Sequence, residues 1–150
     1  TPGKLIDAND LIINEFSVSN NNGESALSCR SYAYDSSTGV GKWTAGPGFQ
    51  PLIDGIDRMQ ILYGITTEGD PRSANQYVSA DRVGDTLSDW QNVRSVRISV
   101  LANSLVTTDS TPANRQFALL DATPLTAGDL NNDRRSRQIF TTTIQLKNTD

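Results

Sequence analysis

Residues 94–102 read RSVRISVLA and alternate between apolar and polar side chains along their whole length. Val96, Ile98 and Val100 occupy every second position, and an arginine and two serines lie between and beside them. A period of two places successive side chains on opposite faces of an extended chain. The stretch therefore predicts a half-buried β-strand whose three apolar residues face the core.

A second stretch, RQIFTTTIQLKN at residues 137–148, has the same period. Its large apolar residues alternate with threonine and glutamine, so it also predicts a strand with one apolar face. The two strands predict a core that contains Val96, Ile98, Val100, Phe140, Ile144 and Leu146. The residues between them, Arg97, Thr141 and Thr143, are predicted to be more exposed.

Shorter stretches of the chain show the same alternation. Residues 11–18 place Ile12, Phe16 and Val18 on one face, and residues 26–34 place Leu27 and Cys29 opposite two tyrosines. Glycine-bearing turns lie on both sides of residues 42–43 and indicate a short strand there. Residues 59–63 again alternate between apolar and polar side chains. Trp90 precedes the strand at 94–102 and is expected to anchor its start.

Other segments break this pattern. Leu52, Ile53 and Ile56 have the spacing of one helical turn, which Gly55 would close. Residues 66–75 are polar with Gly and Pro, which predicts an exposed loop. Residues 103–136 are mostly Ser, Thr, Asn, Asp and Pro, with one short strand expected at 116–120, so most of that interval is expected to be a partly mobile loop.

The composition agrees with a fold that is rich in strands and loops. The chain has 150 residues, of which 36% are hydrophobic, and its mean hydropathy is -0.42. Ser, Thr, Asn, Asp and Gly are frequent, and these residues favour turns and caps over helix interiors. We predict a mainly β, antiparallel, strand-rich globular domain with little helix, which occupies residues 1–150 as a single domain.

The charge of the chain argues against nucleic-acid binding. Its formal net charge is -4, whereas phosphate recognition requires clustered cations. Arg134, Arg135 and Arg137 form the one basic cluster, and it is interpreted as a solvated turn before a strand in preference to an anion site. We therefore expect no direct nucleic-acid partner.

No constellation of catalytic residues is present. The chain has no histidine, which excludes the usual zinc sites and any Ser-His or Cys-His nucleophile pair. The carboxylates at Asp54, Asp57, Glu68 and Asp70 stand in turn-like contexts, with no sign of the burial that separates the pKa values of a catalytic pair. We expect neither an enzyme nor a bound cofactor.

Two segments resemble calcium loops only weakly. Asp129, Asn131 and Asp133 have the spacing that begins such a loop, but Arg134 stands at its sixth position and Phe140 at its twelfth. A solvated Asx turn is the preferred interpretation. The other candidates are Glu68 and Asp70, which supply two carboxylates at most. We predict no metal site and keep these two residues as weak calcium candidates.

The single cysteine and the start of the chain suggest a larger context. Cys29 has no partner within the sequence, so it is either a free thiol or half of a bridge to a cysteine outside it. No stretch approaches the roughly 20 apolar residues that span a bilayer. The sequence opens with TPGKLIDAND and without an initiator Met, and we interpret it as part of a longer protein.

Four aromatic residues allow two interpretations. Tyr32, Tyr34, Trp43 and Tyr63 could line a sugar-binding or partner-binding surface, as in a β-sandwich adhesin. Aromatic residues on strands are more often used for core or cross-strand packing, which is the preferred interpretation.

Five blocks of the chain resemble, in order, the C-terminal part of PilW-type minor pilins. They are LIDGIDRMQILYGI (52–65), TEGD (67–70), NQYVSA (75–80), DWQNVRSVRISVLANS (89–104) and DRRSRQIFTTTIQLKN (133–148). The similarity covers about residues 52–148, with a variable gap near 103–132. Thr66 departs from the Asp of many members, and Lys147-Asn148 replaces the usual Arg-Asn.

The resemblance implies a non-catalytic minor pilin with an α+β, pilin-like fold, whose hydrophobic N-terminal helix is absent from this sequence. Such a protein joins other minor pilins and the major pilin, primes assembly of the type IV pilus and sits at its tip. The implied location is the periplasm and inner membrane before assembly and the cell surface afterwards. Membrane contact is implied only through the missing helix. The family is also similar to J-type pseudopilins of type II secretion, which is the first alternative; a sugar-binding adhesin is the second.

Overall fold

Strands dominate the computed structural model, which describes residues 12–21, 23–35, 41–67, 73–108 and 115–147. The only helices in these ranges are the short α1 Leu87–Trp90 and two 3-10 turns, Ala80–Arg82 and Gly128–Leu130. The strands are β1 Ile12–Asn21, β2 Glu24–Asp35, β3 Lys42–Ala45, β4 Gln50–Asp54, β5 Ile56–Ile65, β6 Gln76–Val78, β7 Val93–Thr107 and β8 Arg135–Gln145. The predicted fold class, a mainly β domain with antiparallel sheets, is confirmed.

The strands belong to two compact units, Thr1–Ile56 and Asp57–Asp150. Each unit has a four-stranded sheet of its own. The expectation that residues 1–150 act as a single domain stays a prediction.

The sheet of the first unit is built around β2. β1 pairs with β2 antiparallel from Ile12–Ala33 to Asn21–Glu24, and Gly23 has the positive φ of 89° that a tight hairpin turn requires. The other side of β2 pairs first with β4 and then with β3. The predicted strands at 11–18, 26–34 and 42–43 are confirmed over their described residues.

Polar side chains hold together one face of this sheet. Ser28 is fully buried, and its hydroxyl lies 2.7 Å from that of Ser19. The Glu15 carboxylate accepts hydrogen bonds from the Tyr32 hydroxyl at 2.6 Å and from Arg30 at 2.7 Å. These bonds, that of Tyr32 first, lower the pKa of Glu15. On the opposite face, Phe16 is about half exposed.

The helical turn predicted at residues 52–56 is wrong. Residues 50–54 pair with β2 as β4, Gly55 adopts a φ of 80°, and β5 begins at Ile56. Leu52 and Ile53 are both exposed at the sheet edge, where Pro51 is tolerated because an edge strand can lack one donor. A short apolar run has no period long enough to separate a helical turn from a strand, and pairing with β2 decided the outcome.

The sheet of the second unit has the order β6-β5-β7-β8. β7 and β8 pair antiparallel in unbroken register from Ser95–Gln145 to Asn103–Arg137. β6 is short and pairs with the end of β5, where Tyr63 lies opposite Val78. The predicted strands at 94–102 and 137–148 are confirmed as strands, the second as far as Gln145, and they are neighbours in the sheet.

Two apolar clusters pack on this sheet. In the first, Val78, Val83 and Val93 are buried beside Tyr63, whose ring meets that of Trp90 edge-on at 5.0 Å. Trp90 therefore anchors the start of β7, as expected. A capping box fixes α1 before it: the Thr86 hydroxyl accepts from the amide of Asp89, and the Asp89 carboxylate accepts from the amide of Thr86.

The second cluster comes from the polar interval between β7 and β8. Leu119 and Leu130 are buried against Leu101, with Ile139 packed beside them. The short strand predicted at 116–120 is reduced to one bridge, Phe117 with Leu125. The interval at 115–130 thus contributes core residues that its polar composition did not suggest.

An ion-pair network connects β5, β7 and β8 at one end of the sheet. The Arg137 Nε donates to the Asp57 carboxylate at 2.7 Å, and its two terminal nitrogens donate to both oxygens of Asp133 at 2.6 and 2.9 Å. Asn103 of β7 donates to the second oxygen of Asp57 at 2.7 Å. The Arg137 side chain is only 6% exposed. The prediction of a solvated arginine turn is correct for the exposed Arg134 and wrong for Arg137.

Arg137→Ala should destabilise the protein by about 3 kcal/mol, because it removes the ion pair of the mostly buried Asp57 carboxylate and the closer of the two arginines beside Asp133. Urea unfolding measures the free energy. Arg134→Ala is the matched control and should change it by less than about 0.5 kcal/mol, because that side chain is exposed. Equal losses in both variants would contradict the structure.

The network should also make stability depend on acid pH. The hydrogen bonds from Arg137, above all, lower the pKa of Asp133. Its stabilising contribution is therefore complete above the ordinary carboxyl pKa of about 3.9 and is lost as the pH falls through the lowered value of the folded state. Unfolding free energies measured between pH 2 and 5 should fall less steeply for Asp133→Asn than for the natural chain. The same slope in both would show that Asp133 does not contribute.

Candidate interaction surface

The six apolar residues predicted to be buried lie on the less buried face of the sheet that β7 and β8 form. Phe140 is 53% and Ile144 49% exposed, Leu146 is also exposed, and Val96, Ile98 and Val100 are half-buried. Ser99 and Leu101, on the opposite face of β7, are 0% exposed. None of the six apolar residues is fully buried, so their predicted burial is wrong. Thr141 and Thr143 are exposed, as predicted, whereas Arg97 is half-buried.

Hydrogen bonds explain how the polar face of β7 can be the covered one. The Ser99 and Thr141 hydroxyls are 2.9 Å apart, and Arg97 Nε donates to the Thr143 hydroxyl at 3.2 Å. The Arg97 guanidinium lies 3.8 Å from the ring centre of Tyr77, a cation–π contact. Because these groups have partners within the protein, covering them leaves few polar groups unsatisfied.

The residues of this face form one continuous feature, which we call the apolar stripe. It consists of the half-buried Val96, Ile98 and Val100 and the exposed Phe140, Thr142 and Ile144. The strand register places Val96 opposite Ile144, Ile98 opposite Thr142 and Val100 opposite Phe140. No member of the stripe carries a charge. Clustered exposed apolar side chains on a folded protein are typical of interaction sites, because their exposure to water is unfavourable.

Three of the carboxylates considered for catalysis or calcium, Asp57, Asp129 and Asp133, bind groups of the protein itself. Asp57 and Asp133 bind Arg137, and the Asp129 carboxylate accepts from the amide and hydroxyl of Thr126 at 2.8 and 2.7 Å. Those bonds, the hydroxyl first, lower the pKa of Asp129. The weak calcium candidates Glu68 and Asp70 lie outside the described residues. Among the residues that are described, no three His, Cys, Asp or Glu side chains are placed to hold a metal ion.

Cys29 lies on β2 opposite Phe16 and Gln50. Its side chain is half-buried and its thiol is unbridged. A bridge to a cysteine of another segment stays a prediction.

The aromatic residues are used for packing. Tyr34 and Trp43 meet edge-on across β2 and β3 at 5.3 Å, and Tyr63 packs against Trp90. The hydroxyl of Tyr32 is bound to Glu15. These contacts favour the interpretation of cross-strand packing over a row of rings that is open to a sugar.

Comparison with known families gives the family of the chain. The family described as type IV pilus-assembly protein W matches residues 15–148, which is nearly the whole sequence. The chain belongs to the type IV pilus-assembly protein W family. No curated protein and no solved structure matches it significantly.

Membership assigns the protein to pilus assembly and to the bacterial envelope, and it confirms the resemblance found in the sequence blocks. The matched range begins at Glu15 and so includes the first unit, where the blocks carry little similarity. No helix within the described ranges is long and apolar enough to cross a membrane.

For this member of the family, sequence reasoning identified the residues of the apolar stripe but not their exposure. It missed the covering residues Leu119 and Leu130 and the buried role of Arg137. One signal was available: in β7 the alternation of Ser95, Arg97 and Ser99 ends in Leu101, and on β8 Ile139 stands opposite it. When two facing apolar residues lie on an otherwise polar face of a sheet, they indicate that other parts of the chain cover that face.

Two isoleucines on β8 test the assignment of the faces. Ile139→Ala should cost about 2 kcal/mol or more of unfolding free energy, because Ile139 packs against Leu101 and Leu119. Ile144→Ala should cost less than about 1 kcal/mol, the range of one cross-strand pair on an open face. Denaturant unfolding measures both. A larger loss for Ile144→Ala would reverse the assignment.

Proposed function

We propose that this chain is a non-catalytic minor pilin that joins other minor pilins and the major pilin to prime type IV pilus assembly, and that it occupies the pilus tip. The observation that carries the proposal is the family match over residues 15–148, together with an uncovered apolar stripe in the second unit. An assembly role requires a surface for other subunits. The stripe supplies one without any catalytic group.

The stripe is suited to an apolar helix of a pilin subunit. It is two strands wide, lacks charge along its length and presents Phe140 and Ile144 as its most exposed side chains. A helix with one apolar face can bury that face against such a surface. Burying a side chain of this size contributes roughly 1.5–3 kcal/mol, so a few contacts give a usable interaction.

Contacts of this size need not hold subunits together by themselves. Pilins are brought close together in the membrane and in the filament, and tethering raises the effective concentration of each surface for the other. We therefore expect the isolated chain to bind its partners weakly. Before assembly the protein resides in the periplasm and inner membrane, and afterwards it is displayed on the pilus.

Charged substitutions on the stripe should reduce piliation. Phe140→Asp and Ile144→Asp each place a charge where an apolar partner would pack, while the exposed positions leave the fold intact. The amount of pili sheared from the cell surface should fall several-fold, while the amount of major pilin in the cells stays unchanged. Leu87→Asp is the control, since Leu87 is 77% exposed on α1, outside the stripe. Normal piliation in both stripe variants would rule out the stripe as the contact.

Deleting the gene tests the broader role. Loss of surface pili with normal synthesis of major pilin supports a role in assembly, and intact piliation contradicts it.

A J-type pseudopilin would instead be required for type II secretion, and the family match favours the pilus role over this alternative. Glycan-array binding would support an adhesin. Hydrolysis of a glycan or peptide by the purified chain would refute the non-catalytic assignment.

A further inference from the structure

The last strand of the second sheet has an open edge. β8 pairs with β7 on one side, and in the described part of the chain no strand pairs with its other side. It runs over 11 residues, Arg135–Gln145. An edge strand presents a row of backbone donors and acceptors that can pair with another chain.

One hydrogen bond determines which backbone groups of β8 face outward. The Leu146 amide donates to the Arg94 carbonyl at 2.8 Å, and the strand register places these two residues opposite each other. In an antiparallel pair, hydrogen-bonded and non-hydrogen-bonded residues alternate. Phe140, Thr142 and Ile144 therefore bond towards β7. The amides and carbonyls that point away from β7 belong to Ile139, Thr141, Thr143 and Gln145.

This edge has none of the features that usually prevent pairing. Residues 138–146 contain no charge, no proline and no glycine. The register irregularity in the pairing with β7 falls between Asn103 and Thr107, beyond this segment. Edge strands that stay unpaired are usually short, charged, bulged or interrupted by proline.

The side chains of this edge suit antiparallel pairing with a second copy of the same segment. Around Thr142, the residues IFTTTI place Phe140 and Ile144 at equal distances on one face and Thr141 and Thr143 at equal distances on the other. An antiparallel copy centred on Thr142 thus brings an aromatic residue opposite a β-branched one and threonine opposite threonine. Both kinds of cross-strand pair are favourable.

We propose that two copies of this chain pair through β8, antiparallel, with the two-fold axis at Thr142. Thr141 then exchanges backbone hydrogen bonds with Thr143 of the second copy, and Ile139 with Gln145, about eight bonds in total. Thr142 faces itself. The two sheets become one continuous sheet in which Phe140 of each copy contacts Ile144 of the other, so the two apolar stripes join.

The register follows from the side chains. A shift by two residues in one direction places Phe140 opposite Thr142. The opposite shift places Phe140 opposite Leu146, but it also places Thr142 opposite Ile144 and Ile139 opposite Lys147. Both lose the pairing of Phe140 with Ile144. The contact is symmetric, so it closes after two copies.

The charged residues beside the segment and the small area of one strand pair limit the strength of this contact. Beyond the uncharged segment, Lys147 would approach Arg137 of the second copy, whose guanidinium is already bound to Asp57 and Asp133. Pairing is therefore confined to residues 138–146. One strand pair buries less than the roughly 1,200 Å² of a standard interface, so we expect a weak dimer.

Cysteine cross-linking of the whole chain tests the register. In a Cys29→Ser background, Thr142→Cys should form a disulfide dimer under mild oxidation, because residues opposite each other in a non-hydrogen-bonded pair have Cα atoms about 4.5 Å apart, within disulfide range. Thr141→Cys and Thr143→Cys are matched controls that do not face themselves, and they should cross-link at least about tenfold more slowly. Equal rates for all three variants would overturn the proposal.

Charge substitution tests the same contact without any cysteine. Thr142 is exposed, so Thr142→Lys and Thr142→Glu should keep the fold, which circular dichroism verifies. Each should dimerise at least about fivefold more weakly in sedimentation equilibrium, because like charges would meet on the axis. Mixing the two should restore a dimer. A natural chain that stays monomeric at millimolar concentration, or a mixture that fails to pair, would overturn the proposal; so would β8 pairing only with a strand of a different protein.

Discussion

The guanidinium of Arg137 holds together the parts of the second unit that are far apart in sequence. It binds Asp57 at the start of β5 and Asp133 before β8, and Asn103 of β7 connects to the same network through Asp57. A slip of β8 by one residue would turn Arg137 to the other face and separate it from both carboxylates. The register of β8 decides which side chains form the apolar stripe, so the exposed surface depends on this buried contact.

Both sheets use polar contacts on their more buried face. In the second unit, Ser99 meets Thr141 and Arg97 meets Thr143 and Tyr77, while in the first Ser28 meets Ser19. Hydrogen bonding between neighbouring strands lets such residues be covered at little cost. The apolar residues of the stripe can then stay on the more exposed face.

The sequence was sufficient to locate most strands but not to orient them. Alternation separates two faces of β7 and β8, yet it does not say which face the rest of the chain will cover. The covering residues, Leu119 and Leu130, lie in a largely polar interval, where only the short apolar stretch at 117–120 gives a local sign of core. Likewise, three neighbouring arginines look alike until the fold brings Asp57 to one of them. The Asp129 and Asp133 carboxylates have calcium-loop spacing, but Thr126 and Arg137 bind them instead.

The 80-residue separation between Asp57 and Arg137 has a consequence for folding. Contacts between distant residues are slow to form, because the long intervening chain loses entropy before it gains any interaction. At a synthesis rate of about 5–20 residues per second, roughly 4–16 s pass between the two residues. β7 ends at Thr107 and β8 begins at Arg135, so for roughly 1–6 s of that time β7 lacks β8 and its edge is unpaired. An unpaired strand edge of this kind favours aggregation of a chain that has not finished folding.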